Sequence, residues 1–65
     1  MMWLELSDGG YFFGPGGVTA IKEVDLRDKP DTYIYRTELY ANNLRVGLVQ
    51  ETAKFILDKI GETKE

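Results

Sequence analysis

The chain lacks both cysteine and histidine among its 65 residues, and these two absences remove most of the chemistry a small protein can carry. Without cysteine there is no disulfide, no thiolate nucleophile and no thiol redox centre. Without histidine there is no imidazole base, no Ser-His pair and no transition-metal site of the usual kind. With both missing, nearly all structural zinc sites are excluded as well. Serine occurs once, as Ser7 beside a turn. An enzyme would have to work with carboxylates, lysines and tyrosines, whereas acid–base catalysis recruits histidine most often. The expectation is therefore a chain that is not an enzyme and has no catalytic, cofactor-binding or metal-binding residues.

Long apolar runs are missing too. None exceeds three or four residues, so no segment spans a membrane as a helix. The N-terminus opens directly into a strand-like segment with no basic or apolar leader region, so no signal peptide is read there and the expected address is the cytoplasm. Nor is there a surplus of positive charge: 8 basic and 11 acidic residues give a net charge of −3. Lys22, Arg27, Lys29, Arg36, Arg45, Lys54, Lys59 and Lys64 are interleaved with acids rather than gathered on one face. A phosphate-binding surface needs such a face, so the balance argues against nucleic acid.

What the chain does contain is strand and turn signals. Met2-Trp3-Leu4-Glu5-Leu6 alternates, with Met2, Leu4 and Leu6 on one face and Trp3 and Glu5 on the other. Ser7-Asp8-Gly9-Gly10 is a hairpin turn, Tyr11-Phe12-Phe13 a second strand, and Gly14-Pro15-Gly16-Gly17 a break. Val18 to Leu26 reads as a third strand whose period fails once, which a bulge near Ala20 or Ile21 repairs; a helical turn over Val18, Ile21 and Val24 competes with it. Thr32 to Tyr40, rich in aromatic and β-branched residues, is the clearest strand. Tyr33, Tyr35 and Leu39 face one way, and Ile34, Arg36 and Glu38 the other. Asn42-Asn43 is a turn, and Leu44 to Gln50 a fifth strand in which Gly47 marks a bulge or a close backbone approach. Thr52 is a helix N-cap, Ala53, Ile56, Leu57 and Ile60 recur at helical spacing, and Gly61 is the stop.

The predicted fold is a single α+β domain, residues 1–61, with a frayed polar tail at 62–65. It is a five-stranded, mainly antiparallel β-meander, curled or barrel-like, with one short C-terminal helix packed on it. The expected core is Leu4, Leu6, Phe12, Ile21, Val24, Ile34, Val46, Leu48, Ile56, Leu57 and Ile60. A domain of this size buries only about 60% of its unfolded surface, and natural examples add disulfides, metals or subunits. Of these, self-association is the route left open, beside an unusually well packed monomer.

Two short motifs invite a chemical reading. Gly14-Pro15-Gly16-Gly17 could ring an anion with backbone amides, but it lacks the Lys-Ser/Thr ending of a phosphate loop and reads as a wide turn. Glu23 and Asp25 could pair as glycosidase carboxylates or hold a hard cation, yet a small meander offers no deep cleft, and a solvated strand face explains them. The aromatic residues say more. One sheet face and one helix cannot hide them all, which makes Trp3, Tyr11, Phe13, Tyr33, Tyr35, Tyr40 and Phe55 candidate interface residues. Rings at the rim of a small core are the alternative. A sheet of aromatics can also stack single-stranded bases, but this one lacks the basic groove that goes with it.

The opening Met1-Met2-Trp3-Leu4, then Asp8-Gly9-Gly10 and an aromatic strand, resembles the small flagellar-operon family called FlbD, or SwrD in swarming bacteria. So do Val18-x-x-Ile21-x-Glu23-Val24 followed by Pro30-Asp31-Thr32-x-Ile34, and the closing Leu48-Val49-Gln50-Glu51-Thr52 with its short helix to Ile60. The resemblance implies a cytoplasmic, non-enzymatic accessory protein linked to flagellar motor function, and carries over no catalytic residue. From the residues themselves the expectation is a homo-oligomeric interaction module that binds itself or another protein. Alternatives are a phage or mobile-element accessory protein that inhibits a host protein, and a small-molecule or nucleotide sequestering protein with sites at subunit junctions built from Tyr33, Tyr35, Arg36 and Arg45.

Overall fold

The structure, a computed structural model, describes residues 2–62. The chain forms β1 (Met2–Leu6), β2 (Gly9–Phe13), β3 (Ala20–Glu23), β4 (Thr37–Ala41), β5 (Leu44–Val49) and α1 (Ala53–Glu62). This is the α+β composition that the pattern predicts, but the strands do not make one curled or barrel-like meander. β1 and β2 form a two-stranded sheet, and β3-β4-β5 a separate three-stranded one. The division falls at Gly14–Gly17, where the loop satisfies its own backbone. Gly17 N donates to Gly14 O at 2.9 Å, Gly14 N to Val18 O at 3.0 Å, and Val18 N to Phe12 O at 2.8 Å. Gly17 lies so close to Phe12 that a side chain there would collide with its carbonyl and ring. The chain thus leaves β2 through a single parallel bridge, Phe13 to Val18, instead of folding back as a hairpin.

Turn length sets the first register. The turn residues Ser7 and Asp8 put Leu6 opposite Gly9 and hence Leu4 opposite Tyr11 and Met2 opposite Phe13, so these residues share the inner face. Trp3 and Phe12 face outward. The core aromatic is therefore Phe13 and not Phe12, because a shift of one residue exchanges the faces of a strand.

β3 is shorter than expected and is a strand, not a helical turn. Thr19 N donates to Tyr40 O at 2.9 Å while Ala20 already pairs with Tyr40. Two successive residues thus oppose one, the arrangement of the bulge that the broken period calls for. Beyond Glu23 the expected long strand from Thr32 is absent, and β4 begins only at Thr37. Residues 32–35 have the side chains of a strand, but their backbone is engaged locally, and only Arg36 reaches the neighbouring strands, its amide donating to Val49 O and its carbonyl accepting from Val24 N. Tyr33 N donates to Pro30 O, and the Arg36 guanidinium takes the carbonyls of Tyr33 and Tyr35. Ile34, placed in the core by its period, is consequently exposed.

β4 carries Thr37, Leu39 and Ala41 inward and Glu38 and Tyr40 outward. Leu39 faces Gly47, and Tyr40 faces Arg45, so Val46 has no opposite residue. This bulge turns Val46 to solvent and Leu48 to the outer face, and brings Val49 into the core. Gly47 also provides the close approach: a Cβ there would strike the Tyr11 ring, which lies against its backbone. Both readings of that glycine hold.

Thr52 caps α1, its hydroxyl accepting the Phe55 amide at 3.1 Å. The helix continues through Gly61 to Glu62; the rest of the expected tail, 63–65, lies outside the described residues. Leu6, Phe13, Val18, Leu39, Val49 and Ile56 form the core, with Met2, Leu4, Tyr11, Ile21 and Ile60 packed on it. Leu6, Ile56, Leu4, Ile21 and Ile60 were expected there. Phe12, Val24 and Leu48 are half-buried instead, and Ile34, Val46 and Leu57 are exposed. Ile56 is 0% exposed and joins the helix to the sheets. Ile56→Ala should cost about 2–5 kcal/mol, a large part of the stability of so small a domain. A denaturant titration checks this as a shift of midpoint without a change of slope.

Candidate functional site

The helix stripe of Ala53, Ile56, Leu57 and Ile60 is four positions wide, and β3, the strand that α1 packs on, is narrow. Ile56 takes the buried position. Leu57 is left at the edge, 56% exposed. Beside it opens a groove of about 690 Å³. Phe13 and Val18 form its floor, Leu57 and Ile60 its helical wall, Thr19, Ala20 and Ile21 the opposite wall, and the loop Gly14-Pro15-Gly16 one end, with Asn42 at the rim. Asn42 reaches the rim because the β4–β5 turn takes left-handed conformations at Asn42 and Asn43, φ 52° and 70°. Its amide donates to the Thr19 hydroxyl at 3.4 Å.

None of the residues lining this groove ionises at any accessible pH. Its lining of apolar side chains suits apolar groups of a ligand, and it presents no carboxylate to a cation. Among the described residues, no group of three or more acidic, cysteine or histidine side chains is placed to hold a metal ion.

The two short motifs divide differently. Gly14-Pro15-Gly16-Gly17 is a turn whose Gly14 and Gly17 amides serve the turn itself, and it contributes an apolar end wall to the groove. Glu23 and Asp25 do not share a cleft. Asp25 is held by Arg27, Nη2 to Oδ2 at 2.9 Å and Nε to Oδ1 at 3.1 Å, and this pairing keeps its carboxyl below the usual range. Glu23 borders a separate cavity of about 120 Å³ with Arg36 and Thr52.

The seven candidate interface aromatics are scattered over five segments. Trp3 is the most exposed, at 70%, with Phe12 beside it at 5.8 Å between ring centroids. Tyr33 and Tyr35 meet edge to face at 5.7 Å in the connection before β4, with the Lys29 ammonium 5.4 Å from the Tyr33 ring. Tyr40 lies on the outer sheet face and donates to Glu38 at 2.8 Å, which raises its pKa; Arg45 reaches the same carboxylate at 3.7 Å. Phe55 is partly covered by Lys59, whose ammonium is 5.5 Å from its ring. Phe13 is a correction: at 6% exposed it is core, and meets a partner only as groove floor. Tyr11 is half-buried against Gly47.

Of the residues expected to build small-molecule or nucleotide sites at subunit junctions, Tyr33 and Tyr35 meet each other, while both arginines are engaged within the chain. Arg36 is turned onto the carbonyls of its own loop, and Arg45 lies against Glu38. Sequence reasoning missed the groove because Pro15 and Val18 sit in or next to what reads as a turn, and Leu57 reads as core. The available signal was a helix stripe wider than the strand beneath it.

Comparison with protein-family models, with curated proteins and with solved structures gives no match. Among the described residues no helix is long and apolar enough to cross a membrane.

Tyr11 offers a spectroscopic handle. Burial and, next, its hydrogen bond to Asp8 push its hydroxyl up to about 12. Its folded value lies above the unfolded value of about 10. The associated stability is therefore complete below about pH 10 and is lost as pH rises through about 12. Ultraviolet titration of tyrosinate should show Tyr11 and Tyr40 ionising late, and Asp8→Asn should bring down Tyr11 alone.

Proposed function

We propose that this chain is a cytoplasmic, non-enzymatic protein-interaction module, homo-oligomeric or bound to a host protein, that seats apolar side chains of a partner in the groove between α1 and β3. The observation that carries the reading is the groove itself: about 690 Å³, apolar, and lined by no ionisable residue. Its volume falls in the range of small-molecule pockets, but such pockets fix their ligands with a few converging polar groups. Here the polar side chains on the walls are those of Thr19 and Asn42, and the Thr19 hydroxyl already accepts the Asn42 backbone amide. An exposed leucine beside an apolar floor is instead the anatomy of an interface centre, where charged residues are depleted. Trp3 and Phe55 add exposed rings of the type that dominate binding energy. The accessory role implied by the flagellar-operon resemblance, and inhibition of a host protein by a phage or mobile element, are both forms of this reading.

Selection of the full chain against a random peptide library tests it. Peptides rich in apolar residues should be enriched, and Leu57→Asp should abolish their binding while leaving the melting temperature within a degree or two, since surface substitutions usually change stability by less than about 0.5 kcal/mol. A chain that neither self-associates nor enriches any peptide, or whose peptides bind Leu57→Asp equally well, would overturn the proposal.

A further inference from the structure

One wall of the groove is also the open edge of a sheet. β3 is an end strand of β3-β4-β5. Val24 N donates to Arg36 O at 2.9 Å. Lys22 pairs with Glu38 and Ala20 with Tyr40. In an antiparallel ladder the residues of one strand address their neighbour alternately. Ala20, Lys22 and Val24 therefore turn their backbone groups to β4, while Ile21 and Glu23 turn theirs away from it. The other end strand is less open. β5 is broken by its bulge at Val46, and just past its end Gln50 N is taken by Ser7 Oγ. A bulge within an edge resists pairing, and that of β5 falls in mid-strand, whereas that of β3 lies at its start, before Ile21.

Resting on the interaction reading above, we propose that the occupant of this edge and groove is a second copy of the chain. The two β3 strands pair antiparallel about a two-fold axis at Ile21, making one six-stranded sheet. Register selects the centre. A two-fold at Lys22 would set Lys22 against its own copy, and one at Glu23 would do the same with carboxylates; like charges directly opposite are unfavourable. At Ile21 the pairs are Ile21 with Ile21, Lys22 with Ala20 and Glu23 with Thr19 of the second copy. Ile21 offers both its outward groups to its copy, and the Glu23 amide meets the Thr19 carbonyl of the second copy, the Thr19 amide being held by Tyr40 O of its own sheet. The axis stands perpendicular to the sheet, so both helices lie on one face, and Leu57 and Ile60 of each approach the groove of the other.

Surface area supports an occupant of this size. The chain exposes 4723 Å². A monomer of 7.4 kDa exposes about 4,200 Å². The chain exposes about 500 Å² more than that average; a stable interface buries roughly 800 Å² of each partner. Edge pairing and groove filling bury backbone and apolar surface together, which a loose peptide on the groove alone would not.

Light scattering over a dilution series, with amide hydrogen exchange on the same samples, tests this. The concentrated chain should weigh about 14.8 kDa, twice 7.4 kDa. On association the Ile21 and Glu23 amides should gain at least about tenfold protection, while Lys22, bonded within its own sheet, changes little. Glu23→Pro removes an outward amide and spares the β4 ladder, and Leu57→Asp places a charge at the junction. Each should weaken association at least about tenfold, or 1.4 kcal/mol. A dimer whose Ile21 and Glu23 amides exchange as freely as in the monomer would overturn the β3 junction. A persistent monomer that still takes up library peptides through Leu57 would exclude the second copy but keep the interaction reading. A persistent monomer that takes up none would remove both.

Discussion

The rest of the structure depends on the few residues between β5 and α1. Thr37 is fully buried, and its hydroxyl donates to Glu51 O at 2.7 Å. From the other sheet, Ser7 N donates to the Glu51 carboxylate at 3.1 Å, and Gln50 N donates to Ser7 Oγ at 2.9 Å. Thr52 then caps the helix. One short segment therefore fixes the first hairpin, the second sheet and the helix relative to one another. Among the described residues no buried side-chain polar atom is left without a partner, so this polar junction does not carry the cost of unsatisfied groups. The apolar core forms on one side of it, and the groove lies on the far side of α1's buried stripe.

This arrangement explains why the domain is not a closed meander. Polar contacts at the Ser7–Glu51 junction and the Tyr11–Gly47 contact bring the two sheets together without pairing their strands. The Gly14–Gly17 loop prevents the pairing that a longer connection would allow. The result is an open edge at β3 and a helix whose stripe is wider than its support. Both features of the proposed interface therefore have the same origin.

Where backbone behaviour is local, the residues announce it. The alternation of β1, the Ser7–Gly10 turn, the bulge by Gly47 and the Thr52 cap all follow from spacing and turn chemistry, and so does the inward Ile56. Tertiary competition hid the rest. Thr32 to Tyr35 have strand-forming side chains, but the Arg36 guanidinium and Pro30 carbonyl hold that backbone in a connection. Choosing Ile34 for the core then selected the wrong face of the following strand, which turned Leu39 outward in the expectation though it is fully buried. Phe12 and Phe13 cannot be told apart by period alone; only the hairpin register separates them. The groove needed knowledge of how far β3 extends, and that depends on pairing partners distant in sequence.

The Tyr11–Gly47 contact has a consequence for how the protein comes apart. β1 and β2 are neighbours in sequence and pair with each other, so they form a unit that can assemble and detach by itself. Its attachments to the second sheet include a ring resting on a glycine and two hydrogen bonds made by Ser7 in exposed surroundings. Such attachments open at lower free energy than a ladder of backbone bonds. What holds the hairpin to the second sheet is therefore the burial of Leu6 and Phe13 in the common core, and not a shared ladder.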